Sequence, residues 1–167
     1  MQKQNGQEAR SVDEVLDRLE RLTELGTALS AERDTERLTE QILIGAKELT
    51  HADGGTLYLL NDACDALDFR TLRNDSLGLA MGGTTGEPVT LEPVPLYCGD
   101  GSPNHHNVAA HVALTGQTVT ISDAYTVEGF DFSGTRAFDE QTGYRSQSFL
   151  TIPLINHEDA VIGVLQL

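Results

Sequence analysis

The residue types best suited to chemistry lie between Cys98 and Ser146. Cys98, His105, His106 and His111 are the kinds of side chain that hold a transition metal, but their spacing argues against a site. Adjacent His105 and His106 do not aim easily at one ion, Cys98 stands alone in a glycine-rich stretch, and no Cys-x-x-Cys or His-x-x-x-His pair occurs. Asp139 and Glu140 are neighbours, so on a strand or loop their side chains diverge and form no acid/base pair. Ser133 sits in Phe-Ser-Gly, not in the Gly-x-Ser-x-Gly turn of a serine nucleophile. The two cysteines, Cys64 and Cys98, form no motif, so no disulfide framework is expected, and reduced thiols suit a cytosolic chain. These residues predict no metal, no cofactor and no turnover within the chain. Binding chemistry is left.

The elements that must position such a site follow from composition and pattern. With 167 residues, 39% of them apolar, the chain can bury one sizeable core. The net charge of −15 disfavours a nucleic-acid or anionic-membrane surface. It also means that an anionic ligand needs a locally positive or amide-lined pocket. No apolar run of spanning length and no signal peptide is visible, so the reading is cytoplasmic.

Residues 1–10 read as a disordered tail. A helix is expected over 11–31, with Val12, Val15, Leu19, Leu22, Gly26 and Leu29 in three-four spacing and Ser11 with Glu14 as a capping box. This helix either packs on its own domain or pairs with the helix of a second copy. A second helix runs from Asp34, its N-cap, to His51, with Leu38, Ile42 and Leu49 on the buried stripe. Thr56–Leu60 and Ala66–Arg73 form a hairpin turned by Asn61, Asp62 and Asp65. Residues 74–104, rich in Gly and Pro, form a functional excursion with a short strand near Val89–Leu91. Asn107–Leu114 is a short helix closed by Gly116. Strands follow at Thr118–Ser122, Gln147–Leu154 and Ala160–Leu167, the last two joined by a turn at His157–Asp159.

Several segments, in this order, resemble a GAF domain, the small-molecule sensor of cyclic-nucleotide phosphodiesterases and many bacterial signalling proteins. They are AKELTHADGGTLYL from Ala46, GGTTGEPV from Gly82, SPNHHNVAAHVALTGQTVTISDAY from Ser102, GFDFSGTRAFDEQTGYRSQSFLTIPLIN from Gly129, and VIGVLQL from Val161. The resemblance implies an α+β, PAS-like fold: a central antiparallel sheet of five or six strands, helices on one face, and a loop-covered pocket on the other. It implies a sensor domain over 32–167, truncated before a C-terminal effector domain. The FDFSGTR version looks most like GAF domains that precede bacterial HD or HD-GYP phosphohydrolase domains. A cyclase or phosphodiesterase context, and a pure dimerisation module with no ligand, are the alternatives. Haem or bilin sensing and the cysteine chemistry of a free-methionine sulfoxide reductase also occur on this fold, but the histidines and two cysteines here lack those contexts.

The cyclic-nucleotide-binding members carry an Asn-Lys pair, a Phe and an Asp near Thr-Gly-Tyr. Phe132, Asp139 and Thr142-Gly143-Tyr144 match, whereas the spacing from Phe132 to Asp139 is longer than in the signature and no Asn-Lys pair is present. In that signature the Asp holds the pocket lid through the Lys, and Arg136 is the substitute on offer here. Alternatively the segment is architectural, with Asp139 capping a turn and Phe132 and Phe138 filling the core.

The pocket is expected on the sheet face opposite the long helices, under the excursions at 74–104 and 123–145. Asn107, Val108 and Ala109 open a helix whose free amides suit a phosphate or carboxylate. Asp123 and Tyr125 follow a strand end, and Thr142, Tyr144 and Ser146 turn toward the same cavity. Phe132, Arg136 and Asp139 belong to its lid. Asp123 as a turn residue and Thr142 as a helix cap are the plain alternatives. The expected partners are a second copy through the N-terminal helix, an unidentified small molecule, and the effector domain of the same chain.

Overall fold

The computed structural model describes residues 2–167, with side chains described for Val15, Leu16 and from Leu19 onward. Helix α1 covers Gln2–Ala31. It therefore continues through most of the stretch read as a disordered tail, and Ser11 lies inside it rather than at its start. The seam residue Val12 lies outside the described side chains. Helix α2 covers Thr35–Thr50. Its start is set by Asp34, whose carboxylate accepts the amides of Glu36 and Arg37 and so satisfies donors that the helix cannot. It ends at His51, in the left-handed region at φ 56°.

Seven strands follow, with two more helices among them: β1 (Gly54–Leu60), β2 (Ala66–Asn74), β3 (Leu79–Gly82), β4 (Val94–Pro95), α3 (Val108–Thr115), β5 (Val119–Ile121), α4 (Ser133–Thr142), β6 (Phe149–Ile155) and β7 (Val161–Gln166). The sheet order is β3-β2-β1-β7-β6-β5, with β4 pairing β2, and every pairing is antiparallel. The β1–β2 turn is built by Asn61, whose side-chain oxygen accepts the amides of Asp65 and Ala66. The short strand expected at Val89–Leu91 does not form. Pro88 and Pro93 flank it, and a proline has no donor for a ladder. The excursion instead supplies β3 and β4.

Side chains alternate across β1 and β7, and this alternation separates two cores. Leu57 and Leu165 face α2 and close on Leu43, with Ile42, Ala46 and Ile152 around them. Tyr58 and Val164 face the other way, onto Ala109, Ala110 and Val112 of α3. α1 lies outermost, resting on α2. A Cβ at Gly45 would come within 2.6 Å of the Leu25 side chain, so glycine is what lets the two helices approach. One buried ion pair fastens the α2 layer to the sheet. Arg73 of β2 donates to Glu40 of α2 and to the carbonyls of Leu72 and Met81. Glu40 in turn accepts the amide and hydroxyl of Thr84, in the loop after β3.

Candidate functional site

The sheet face turned toward α3 carries a row of polar side chains where an ordinary core would be apolar. Thr56 lies opposite Gln166, and Gln166 opposite Thr151, so the row crosses β1, β7 and β6 in register. The Tyr58 hydroxyl donates to the Gln166 side-chain oxygen at 3.2 Å, and the Gln166 amide nitrogen donates to Thr151 Oγ1 at 3.2 Å. Thr151 and Tyr58 are buried. Burial pushes the Tyr58 phenol well above its ordinary pKa of 10.0, opposed by a hydrogen bond with Thr56, so it stays a neutral donor. The apolar pattern of the strands assigns none of these four residues to a site. A polar residue on the inward side of each strand is the only local signal of them.

α3 stands beside this row. Asn107, Val108 and Ala109 lie at its start, as expected, and their side chains serve the fold. The Asn107 side chain accepts the Ala110 amide at 3.1 Å and so acts as the N-cap. Val108 packs on Ile121, Ala124 and Phe132.

The segment after β5 folds over the same side. Its largest departure from expectation is α4, where the sequence pattern predicts a loop. Phe132 occupies its N-cap position and gives no side-chain cap. Its ring is buried against Phe149, 5.3 Å between centroids. Phe138, expected to share that core, is exposed. Asp139 is the one residue of α4 that is buried, at 4% exposure. Its carboxylate accepts the Tyr125 hydroxyl at 2.7 Å, the Ser146 amide at 2.8 Å and the Ser146 hydroxyl at 2.8 Å. It is therefore a clasp joining the loop before α4, the helix itself and the strand approach after it.

Among the described residues Arg136 makes no ion pair with Asp139. Its guanidinium lies over the Tyr125 ring, 5.7 Å from the centroid, and Arg145 lies closer at 4.7 Å. The hydrogen bond to Asp139 is the main reason that the Tyr125 pKa is raised; desolvation and the Asp139 charge add to it, and both arginines oppose it. Asp123 serves its own turn, accepting the Tyr125 amide at 2.9 Å, and its other oxygen lies 3.8 Å from Arg145. Thr142, the last residue of α4, donates to the Phe138 carbonyl at 2.8 Å and is exposed, and Gly143 is the C-cap. Tyr144 reaches away from Asp139 and donates to Asp53 at 2.7 Å. The structure thus gathers Tyr125, Asp139 and Ser146 into one cluster. Asp123 and Thr142 lie outside that cluster and bond locally, Asp123 within its own turn and Thr142 to the preceding turn of α4.

Two clefts lie elsewhere. One, of about 580 Å³, is lined by Lys47, His51, Asp53, Arg73 and Asp75, where α2 ends beside the β2–β3 turn. The other, of about 500 Å³, lies between the start of α2 and the glycine-rich loop after β3. Neither coincides with the polar row, whose side chains satisfy one another beneath α3. Among the described residues no group of three His, Cys, Asp or Glu is placed to share an ion. His105 and His111 meet Nδ1 to Nδ1 at 3.1 Å, and burial, then the His105 charge, lowers the His111 pKa. Cys64 and Cys98 are both free, in different loops. No helix of the described residues is long and apolar enough to cross a membrane.

Comparison with known proteins places this geometry. The family model described as "GAF domain" matches residues 34–167. The chain is 31% identical over 153 residues to the dual 3',5'-cyclic-AMP and -GMP phosphodiesterase 11 of Drosophila melanogaster, covering 90% of this chain and 10% of that protein. It is 30% identical over 157 residues to the cGMP-specific 3',5'-cyclic phosphodiesterase of the same organism, covering 91% of this chain and 13% of that protein. It therefore spans only a small part of these relatives. Among solved structures, the GAF domain of a phosphoenolpyruvate-protein phosphotransferase from Coxiella burnetii superposes with a TM-score of 0.65 at 15% identity, covering 90% of this chain and 76% of that one. A free methionine-R-sulfoxide reductase from Neisseria meningitidis, in complex with its substrate, gives 0.60 at 17% identity, covering 89% and 71%. At these identities the two structures speak to the fold.

Proposed function

The chain belongs to the GAF domain family, and we propose that it is the small-molecule-sensing regulatory domain of a larger signalling protein. The observation that carries this is the Asp139 clasp. A buried carboxylate with three donors fastens a short polar helix on the side of the sheet where the polar row lies. A lid held by a few hydrogen bonds opens at lower cost than a core element, and a floor that offers both donors and acceptors suits a heteroaromatic ligand.

A cyclic purine mononucleotide is the first ligand to test, because the phosphodiesterase relatives at 31% and 30% identity are named for cyclic AMP and cyclic GMP. The effector is proposed to be a C-terminal phosphohydrolase. The relatives, as phosphodiesterases, support that class coarsely, and an HD or HD-GYP domain remains the specific form proposed. The test is thermal unfolding of the chain with cyclic GMP, cyclic AMP or cyclic di-GMP. A ligand at 100 times its dissociation constant adds about 2.7 kcal/mol of stability. A shift with one nucleotide that disappears in Gln166→Leu supports the reading. No shift with any of them at millimolar concentration removes the cyclic-nucleotide assignment and favours an unliganded assembly module.

A second copy of the chain is proposed as partner through α1. Val15, Leu16, Leu19 and Leu22 are each between 48% and 54% exposed along that helix. Their spacing makes the narrow stripe of a two-helix seam.

A further inference from the structure

We infer that Asp53 is the joint through which the lid acts on α2, with Tyr144 as the strap between them. The inference rests on the reading of α4 as a lid, and it concerns the route by which lid position leaves the site. Past the end of α4, alternate residues point to different anchors. Ser146 returns to Asp139 on the lid, with its amide and its hydroxyl both at 2.8 Å. Tyr144 donates its hydroxyl to Asp53 at 2.7 Å. Only Arg145 separates these anchors, so displacement of α4 loads the tyrosine strap directly.

Asp53 stands where three elements meet. It lies between the C-cap of α2 at His51 and the start of β1 at Gly54. Its second oxygen accepts the Ser76 hydroxyl at 2.7 Å and the Ser76 amide at 3.2 Å, and its carbonyl accepts the Asp75 amide at 2.9 Å. Asp75 is itself paired with Lys47 of the last turn of α2, at 2.6 Å. The Lys47 carbonyl accepts the Ala52 amide at 3.0 Å. The lid, the β2–β3 turn and the end of α2 are thus tied in one hydrogen-bonded loop centred on a single carboxylate. α2 carries α1 on its outer side, so the joint lies between the proposed site and the proposed dimer helix. Coupling of this kind needs contiguous groups with two arrangements, and the strap supplies them: Tyr144 bonded to Asp53, or released.

The test uses amide hydrogen exchange of the 167-residue chain, without ligand. Tyr125→Phe, which removes one of the three bonds to Asp139, and Asp139→Ala loosen the lid to different degrees. Each is expected to speed exchange in α4, and also at residues 47–52 and 74–77, by about tenfold or more in the stronger variant, the factor expected for a lost hydrogen bond to a charged group. In a Tyr144→Phe background the same lid variants should still speed exchange in α4 but leave residues 47–52 unchanged. The inference is overturned if 47–52 keeps its wild-type rate when the lid loosens, or if its acceleration is the same with and without the Tyr144 hydroxyl. A parallel arm with cyclic GMP separates the two readings. Failure of the nucleotide to bind bears on the ligand assignment, while the lid variants test the joint regardless.

Discussion

At the residue scale, the carboxylates of Asp139 and Asp53 do different work. Asp139 gathers three donors within one buried cluster, so Asp139→Ala leaves the Ser146 and Tyr125 groups without their acceptor. The expected loss is about 1–3 kcal/mol, read from urea unfolding, with faster proteolysis near Gly134. Tyr125→Phe should cost less, because Ser146 still holds the clasp. Asp53 carries a pH signature. The Ser76 hydroxyl first, then the Tyr144 hydroxyl, hold its pKa below the ordinary 3.8, with desolvation in opposition. A carboxylate with a depressed folded pKa adds stability above its unfolded value, and that contribution fades as pH falls from there through the folded pKa. The stability gap between wild type and Asp53→Asn should therefore be constant at neutral pH and shrink as pH drops below about 4. A gap that does not change down to pH 2 would remove the charged hydrogen bonds from the account.

At the element scale, the elements with an apolar signature lie where the pattern put them. α2 and the β1–β2 hairpin have an N-cap or turn residues at their ends and a periodic apolar side. α4 lacks the periodic apolar side: its ends are marked only by Asp131, which accepts the Ser133 amide, and by Gly143 in the left-handed region, Gly134 follows one residue into the helix, and Asp139 alone is buried. A helix held by one polar residue has no hydrophobic period to read. The Glu40–Arg73 pair shows the same limit from the other side, since partners distant in sequence leave no local pattern. Burial opposes the Glu40 charge, but the Thr84 hydrogen bonds and Arg73 outweigh it and hold its pKa below 4.5. Glu40→Ala strands a largely buried guanidinium. The cost should fall at the lower end of about 3–5 kcal/mol in denaturant unfolding, because the Leu72 and Met81 carbonyls still accept from Arg73. Loop 83–86 should lose hydrogen-exchange protection with it.

At the scale of the whole molecule, two outcomes are expected. The chain should sediment as a dimer at micromolar concentration, and Glu at both Leu19 and Leu22 should yield monomer or aggregate. A monomer for the unaltered chain would remove α1 as a pairing surface. The chain alone should not hydrolyse cyclic AMP, cyclic GMP or cyclic di-GMP. Turnover that survives further purification and is lost on mutation of a named residue would reverse the regulatory reading.

Sequence by itself determined the fold class and most of its elements, because helix and strand periods and turn residues are local. It also marked the GAF segments. It identified Asp139, Tyr144 and Ser146 as residues of interest but could not say what each would bind. Only the tertiary structure decided that Asp139 takes Tyr125 and Ser146 instead of a basic partner, that Tyr144 crosses to Asp53, and that Thr56, Gln166 and Thr151 align across three strands. Register between strands, and the meeting of groups as far apart as Asp53 and Tyr144, depend on how the sheet is assembled. No local run of residues encodes them.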